Sequence, residues 1–504
     1  MKKRISKKIK IIIIGGIIGI GLSIIAVLLY QTDLGSYLQT ALMPQDYSLV
    51  SNDRMKIMKE RGCVYDGLLT PRYNAYFNAS VEMLERSDCH YIHRAIETWN
   101  ISPNFPEIKR RMTVVKNKAH KEFIYGMFLA ESINITKTYY DPYSKRRFYY
   151  SKMCAPGTYN AWGENTCKPS LSKKEYRDYL KAVTRRAIDL GIEDFTFGQI
   201  YYQDAGWKKD SRLIRGVIAD IKKYARSKGE EVSVGAQTNT IDNEEYLRSF
   251  DYITGGIGQD TKGRIEKNNS CWSYYYNRDG YCWALLWSDK YKKIANNILV
   301  YLDWNNSSTD DIHRFTRMHR NDRTRFLAEA YDFFEWHNIG FLMPLGMVLG
   351  NVPAGCYGPT REFYSASYRY GCKDEGAINQ VFRGEDILPN HSRFISQEVP
   401  TQMIAGREYT VSVFMQNTSY KTWEKDRNIA LGSFNPKDNL IWGINRVGLE
   451  EDDSFGHNAT KEFNFKVIAP KKPGKYKFQW RMVQEGKGWF GQPSELVEVE
   501  IIKQ

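Results

Sequence analysis

From about residue 55 to 385, short apolar runs alternate with amphipathic stretches of helical length; after about 390 the helical stretches stop. Strands that alternate with helices are joined by crossovers, and crossovers build parallel βαβ units. "DFTFGQIYYQDAGW" (194–207) reads as a strand and loop, and "CVYDGLLT" (63–70), "EFIYGMFLAESIN" (122–134) and "EVSVGAQTN" (231–239) read as strands. So do "FDYITGGIG" (250–258), "NILVYLDWNN" (297–306) and "IGFLMPLGMVLG" (339–350). The intervening "ASVEMLERSDCHYIHRAIETW", "SKKEYRDYLKAVTRRAIDLG", "SRLIRGVIADIKKYARSKG" and "DDIHRFTRMHRNDRTRFLAEAYDFFEWHN" read as helices, the second with Ser172 as N-cap and Gly191 as its stop. Seven such strands over about 330 residues suit a (β/α)8 TIM-like barrel with one strand poorly marked. The alternative is an open doubly wound sheet, but no glycine-rich dinucleotide fingerprint follows the first strand.

After the switch, "REYTVSVFMQNTS", "NIALGSF", "KEFNFKVIAP" and "GKYKFQWRMVQ" are short alternating strands between turn residues. That pattern predicts an antiparallel β-sandwich. The boundary falls near 387–393, giving a barrel over 51–390 and a sandwich over 391–504. The run "VFMQNTSYKTW", "LIWGINRV" and "APKKPGKYKFQWRMVQEGKGWFG" resembles the Ig-like four-tryptophan domain of next-to-BRCA1 autophagy receptors and many bacterial surface proteins. Trp423, Trp442, Trp480 and Trp489 are its four tryptophans. The resemblance covers only about residues 394–503 and implies an accessory module that binds a polymer or a protein partner. Read from the residues alone, some of these indoles are core.

The other end of the chain has its own pattern. Residues 1–10 carry six Lys/Arg, and the next 20 residues, 11–30, carry no charge. An uncharged run of that length spans a bilayer core of about 30 Å, and it exceeds the apolar region of a cleaved signal peptide. The sequence therefore predicts a single-pass signal anchor over 11–30, with 1–10 as a cytoplasmic flank, 31–50 as a spacer, and the bulk extracellular or periplasmic. The net charge of +14 then leaves about +8 over the remainder, with no long basic block or nucleic-acid motif.

All eight cysteines lie in the part expected outside: Cys63, Cys89, Cys154, Cys167, Cys271, Cys282, Cys356 and Cys372. An even count in an oxidising compartment predicts disulfides, with sequence neighbours as the natural pairs. Cys89, His90 and His93 lie close together, but no paired CxxC supports a metal site, and no cofactor is expected.

HExxH, GxSxG, P-loop and kinase signatures are absent from the sequence. What remains is carboxylates at strand ends, which in a barrel gather at one mouth. Glu131, Asp204 and Asp303 are the catalytic candidates, and Asp66 is a weaker fourth. Residue parity places Glu131 on the face of Tyr125, Met127 and Leu129, and Asp303 on that of Leu299 and Tyr301. Asp303 is not needed as a helix cap, because "SSTDD" (307–311) supplies closer cap residues. Gln199, Gln237 and Asn239 offer amides for hydroxyl groups, and Tyr201, Tyr202, Trp207 and Trp304 offer rings for pyranose faces. Carboxylates, amides and aromatics at one mouth are what glycosidic chemistry requires. The central region thus resembles, in architecture, a glycoside-hydrolase barrel acting on a polysaccharide or cell-surface glycan. The competing expectation is a non-catalytic adhesion or scaffold protein.

Overall fold

The computed structural model describes residues 49–503 except 72–75, 209, 240, 260–264, 266–285, 287, 305–307, 386–389, 420 and 457. The chain divides into two compact units, one ending at Arg383 and the other beginning at Gly384.

The first unit is built on β1 (Gly62–Tyr65), β2 (Tyr91–Glu97), β3 (Ile124–Leu129), β4 (Asp194–Phe197), β5 (Ser233–Gln237), β6 (Tyr252–Gly256) and β7 (Ile298–Tyr301). Two further segments, β8 (Gly340–Phe341) and β9 (Met343–Val348), complete the series. Consecutive strands from β1 to β8 pair in parallel. β9 pairs in parallel with β1. Only Leu342 separates β8 from β9, and its N–H donates to the Val300 carbonyl at 2.8 Å. One run of chain thus takes both β7 and β1 as neighbours, and the sheet returns to its start. The core is an α/β barrel, with β10 (Phe363–Ser365) added antiparallel to β9.

The strands form here because both of their faces are covered, so near-continuous apolar runs serve better than alternating ones. β1, β4, β5, β6 and β7 are buried at every position. The longer helices are amphipathic. In α5 (Arg212–Ser227), which follows α1 (Asn52–Glu60), α2 (Phe77–Arg86), α3 (Phe105–Ala119) and α4 (Lys174–Ile188), the buried residues are Ile214, Val217, Ile218, Ile221, Lys222 and Ala225. Each aliphatic side chain buried on that stripe contributes about 1.5–3 kcal/mol. Lys222 is tolerated there because its Nζ meets Asp251 Oδ1 at 2.7 Å.

Two readings of the sequence change. The segment 79–99, expected as one helix, is α2 followed by β2, the poorly marked strand. β2 is almost wholly buried and shows no period-2 alternation, and it is tied to β1 through the Cys63–Cys89 disulfide. The segment 310–338 is two helices, α6 (Asp311–Arg317) and α7 (Arg320–Trp336), broken at Met318 and His319. Cys154–Cys167 and Cys356–Cys372 are also bonded; Cys271 and Cys282 lie outside the described residues.

The expected single-pass membrane placement is corrected. Among the described residues no helix is long and apolar enough to cross a membrane, and the segment 11–30 lies outside those residues.

The second unit consists of mainly antiparallel sheets, with Gln402–Ile404 pairing in parallel with Val497–Ile502, and has no α-helix among its described residues. Its longest pair joins Glu408–Asn417 to Thr460–Ile468 across nine residue partners. Trp423, Trp442 and Trp480 sit in its core, at most 1% exposed, and Trp442 Nε1 donates to the Lys477 carbonyl at 3.1 Å. Trp489 is only half-buried, lying over Gly432 and beside Phe434. Three of the four tryptophans are therefore core residues rather than ligand contacts.

Candidate active site at the carboxyl ends of the strands

The barrel interior is polar toward its base. Asp194 accepts from the hydroxyls of Tyr91, Ser233 and Tyr252 at 2.7–3.0 Å. The Tyr252 ring fills the space that a side chain at position 235 would take, so Gly235 is required there. One layer up, His93 bonds the Tyr91 hydroxyl through Nδ1 and packs on Tyr301 at 5.4 Å. Burial first, then the charge of Arg94, pushes its imidazole pKa down. Neutral His93 is an interior residue, and with Cys89 in a disulfide the Cys–His–His cluster offers no metal set.

At the mouth, a bulge in β2 sets the arrangement. Pairing with β3 slips between Ile92 and Ile96, and Arg94 adopts φ of +59°. Its guanidinium meets Asp66 at 3.0 Å and Glu97 at 2.7 Å and lies 4.1 Å from the Phe128 ring centroid. Glu97 Oε1 also accepts from the N–H groups of Thr98 and Trp99. Arg94 is thus the counter-charge of a carboxylate-rich mouth.

Asp66 Oδ1, Glu131 Oε2 and Asp303 Oδ2 have no hydrogen-bond partner, and of the three Asp66 is ion-paired to Arg94. Glu131 is 1% exposed, and Oε2 has no hydrogen-bond partner. Burial pushes its carboxyl up to about 8; Arg94 opposes this, while Glu97 and Asp303 add to it. Asp303 is 3% exposed and accepts from the Trp304 N–H at 2.7 Å through Oδ1, and Oδ2 has no partner. Burial pushes it up to about 7, again against Arg94. The structure therefore brings Glu131 and Asp303 into one electrostatic environment.

The parity argument for Glu131 does not survive. On β3 it is Gly126 and Phe128 that face inward, the first toward Asp194 and the second toward Gly198 and Arg94. The strand stops at Leu129, and the turn beyond it carries Glu131 Oε2 against Gly198. The capping argument for Asp303 holds, because Asp310 caps α6 by accepting the His313 N–H at 2.9 Å. Asp311 gathers the N–H groups of Ile257, Gln259 and Asp303, which ties the ends of β6 and β7 to one carboxylate.

Asp204 lies elsewhere. It accepts from Tyr246 and from the Gly206 N–H, both at 3.1 Å, in the turn that carries Trp207. Burial pushes it up to about 6, with Asp210 adding to the shift. No described contact links Asp204 or Trp207 to Glu131 or Asp303.

The amides form one chain. The Tyr201 hydroxyl donates to Gln199 Oε1 at 2.7 Å, and the Gln199 N–H donates to Gln237 Oε1 at 3.1 Å. Gln237 Nε2 reaches the Tyr301 hydroxyl at 2.6 Å. Asn239 Nδ2 lies 3.5 Å from Tyr201, and its Oδ1 is buried without a partner. The rings of Tyr201, Tyr202, Trp162 and Trp99 form a string with centroid spacings of 4.4, 5.7 and 5.5 Å. Lys168 Nζ sits 3.4 Å from the Tyr202 centroid.

Arg94, Glu97, Trp99 and Trp162 were not singled out from the sequence. The first three lay in the segment read as a helix; an Arg and a Glu three apart are ordinary on a helix face. Trp162 lay inside the Cys154–Cys167 loop, where a disulfide explained the local composition.

No family model matches the chain, and no curated protein matches it. Solved structures that align with the chain include a debranching enzyme from Nostoc punctiforme, at 9% identity and TM-score 0.44, over 84% of this chain and 100% of that one. A GH27 β-L-arabinopyranosidase from Geobacillus stearothermophilus aligns at 9% identity and TM-score 0.41, over 83% and 98%. The endo-β-1,4-mannanase from Thermotoga petrophila aligns at 10% identity and TM-score 0.38, over 89% and 100%. No residue role is taken from likenesses at this level.

Proposed function

We propose that the barrel hydrolyses a glycosidic bond in a polysaccharide or cell-surface glycan, with Glu131 and Asp303 as the working pair. The observation that carries this reading is that both acids are buried beside Arg94, each with one unpartnered oxygen, and their pKa values are separated. Burial raises both carboxyls, Glu131 to about 8 and Asp303 to about 7, which assigns the protonated role to Glu131 and the ionised role to Asp303. Glu131 then protonates the leaving glycosidic oxygen, and Asp303 attacks the anomeric carbon or activates a water. Arg94 favours the ionised form of Asp303. Asp204 has no part in this chemistry and holds a turn. The second unit is proposed to be an accessory module of the four-tryptophan type.

The test is turnover of a glycan panel by the full chain beside Asp303→Asn and Glu131→Gln. Loss of about 10²–10⁴-fold in each variant supports the pair, whereas unchanged turnover removes it. One observation favours a non-catalytic glycan-binding protein instead: the two acids are only 1% and 3% exposed. Binding without turnover in the wild-type chain would establish that second reading.

A further inference from the structure

Buried polar atoms are normally paired, so unpaired ones gathered in one place mark where a ligand's polar groups are to go. Those at the carboxyl ends of the strands include Glu131 Oε2, Asn239 Oδ1, Asp303 Oδ2, Trp304 Nε1 and both amide atoms of Gln259. They belong to the turns after β3, β5, β7 and β6. Gln259 is 8% exposed, and its N–H shares the Asp311 carboxylate with that of Asp303, which places it beside the acid pair. The set mixes acceptors with donors and carries no cation. Hydroxyl groups, which both donate and accept, match it; a carboxylate or sulfate, which only accepts, does not.

The charges point the same way. The Arg94 guanidinium is taken up by Asp66 and Glu97, and its charge also acts on Glu131 and Asp303. Lys168, the other cation acting on Glu131, is engaged with the Tyr202 ring, and burial lowers its pKa. An anionic sugar entering this mouth meets carboxylates, while Arg94, Lys168 and Arg314 are engaged with Asp66 and Glu97, with the Tyr202 ring and with the Gln259 carbonyl in turn. The half-buried Trp99, Trp162 and Tyr202 rings meet edge to face and form one continuous aromatic patch against which the apolar face of a sugar ring can pack.

Building on the glycosidic reading of this site, we infer that its ligand is a neutral glycan chain. Its rings lie along Trp162 and its neighbours, its hydroxyls reach Asn239, Gln259 and Trp304, and uronate-containing chains are discriminated against.

The experiment uses the full chain carrying Asp303→Asn, so that binding is read without turnover. Tryptophan fluorescence is titrated with neutral gluco- and galacto-oligosaccharides and with their glucuronate and galacturonate counterparts. The neutral series is expected to bind at least tenfold more tightly than the uronates. Adding Trp162→Ala or Asn239→Ala should weaken it about tenfold, and Trp162→Phe should restore most of the loss; equal thermal unfolding of the variants controls for folding. Uronates binding as well as neutral chains, no binding of either series, or affinity indifferent to Trp162 and Asn239 would overturn the inference. Neutral binding without turnover by the wild-type chain overturns the hydrolase reading and leaves this one standing.

Discussion

Gly198 lies directly beneath Glu131: a Cβ added at position 198 overlaps Glu131 Oε2 and the edge of the Phe128 ring. The orphan oxygen of the acid and the absent side chain of the glycine are one feature, contributed by adjacent strands. Gly198→Ala should therefore displace Glu131 and lower turnover by about 100-fold, since misplacement by about 1 Å costs that much. Overpacking against Phe128 should cost about 1–3 kcal/mol of stability. Kinetics and denaturant unfolding of the same variant separate the two effects.

The acid pair predicts a narrow bell in kcat/KM against pH. Glu131 must hold its proton, so activity falls above about 8; Asp303 must lose its own, so activity falls below about 7. In Glu131→Gln the alkaline limb should vanish, and substrates with a good leaving group should be spared most. An unchanged alkaline limb would exclude Glu131 as the acid.

Arg94 holds two buried carboxylates in place as well as tuning the pair. Arg94→Gln leaves Asp66 and Glu97 without their counter-charge, and should destabilise the fold by about 3–5 kcal/mol. In any folded fraction the acidic limb should move to higher pH, because Asp303 loses the charge that favours its ionised form. A purely structural arginine would lower the melting temperature without moving that limb.

Burial pushes Asp194 and Asp311, and in the same way Asp204, up to about 6. A carboxyl whose folded pKa lies above its unfolded value binds its proton more tightly when folded. Its contribution is fully present below about pH 4 and is lost as pH rises through about 6. These groups should make Tm higher near pH 5 than near pH 7.5. Asp194→Asn should flatten that slope in scanning calorimetry, if the amide keeps its hydroxyl partners.

In the second unit, Trp423→Ala and Trp480→Ala should each cost about 3–5 kcal/mol, because both indoles fill the core. Trp489→Ala should be milder and is the variant to test for lost partner binding. Ligand binding that survives Trp489→Ala would place any recognition surface elsewhere on the unit.

The sequence by itself determined the parallel strands of the barrel other than β2, the change to a helix-free, mainly antiparallel region and the release of Asp303 from capping; neighbouring cysteines were only the simplest pairing, and three of those pairs are present. Each of these follows from local periodicity, spacing or a nearby cap residue. Only the tertiary structure decided which acids meet. β2 is covered on both faces, so it carries no alternation, and its bulge at Arg94 left no mark in the sequence. Asp204 ends the short helix Ile200–Gln203 and closes on Tyr246, whereas Glu131 follows its strand directly and passes over Gly198. Burial, set by side chains far apart in sequence, then raised both Glu131 and Asp303, and the opposing charge of Arg94 put them under one electrostatic influence.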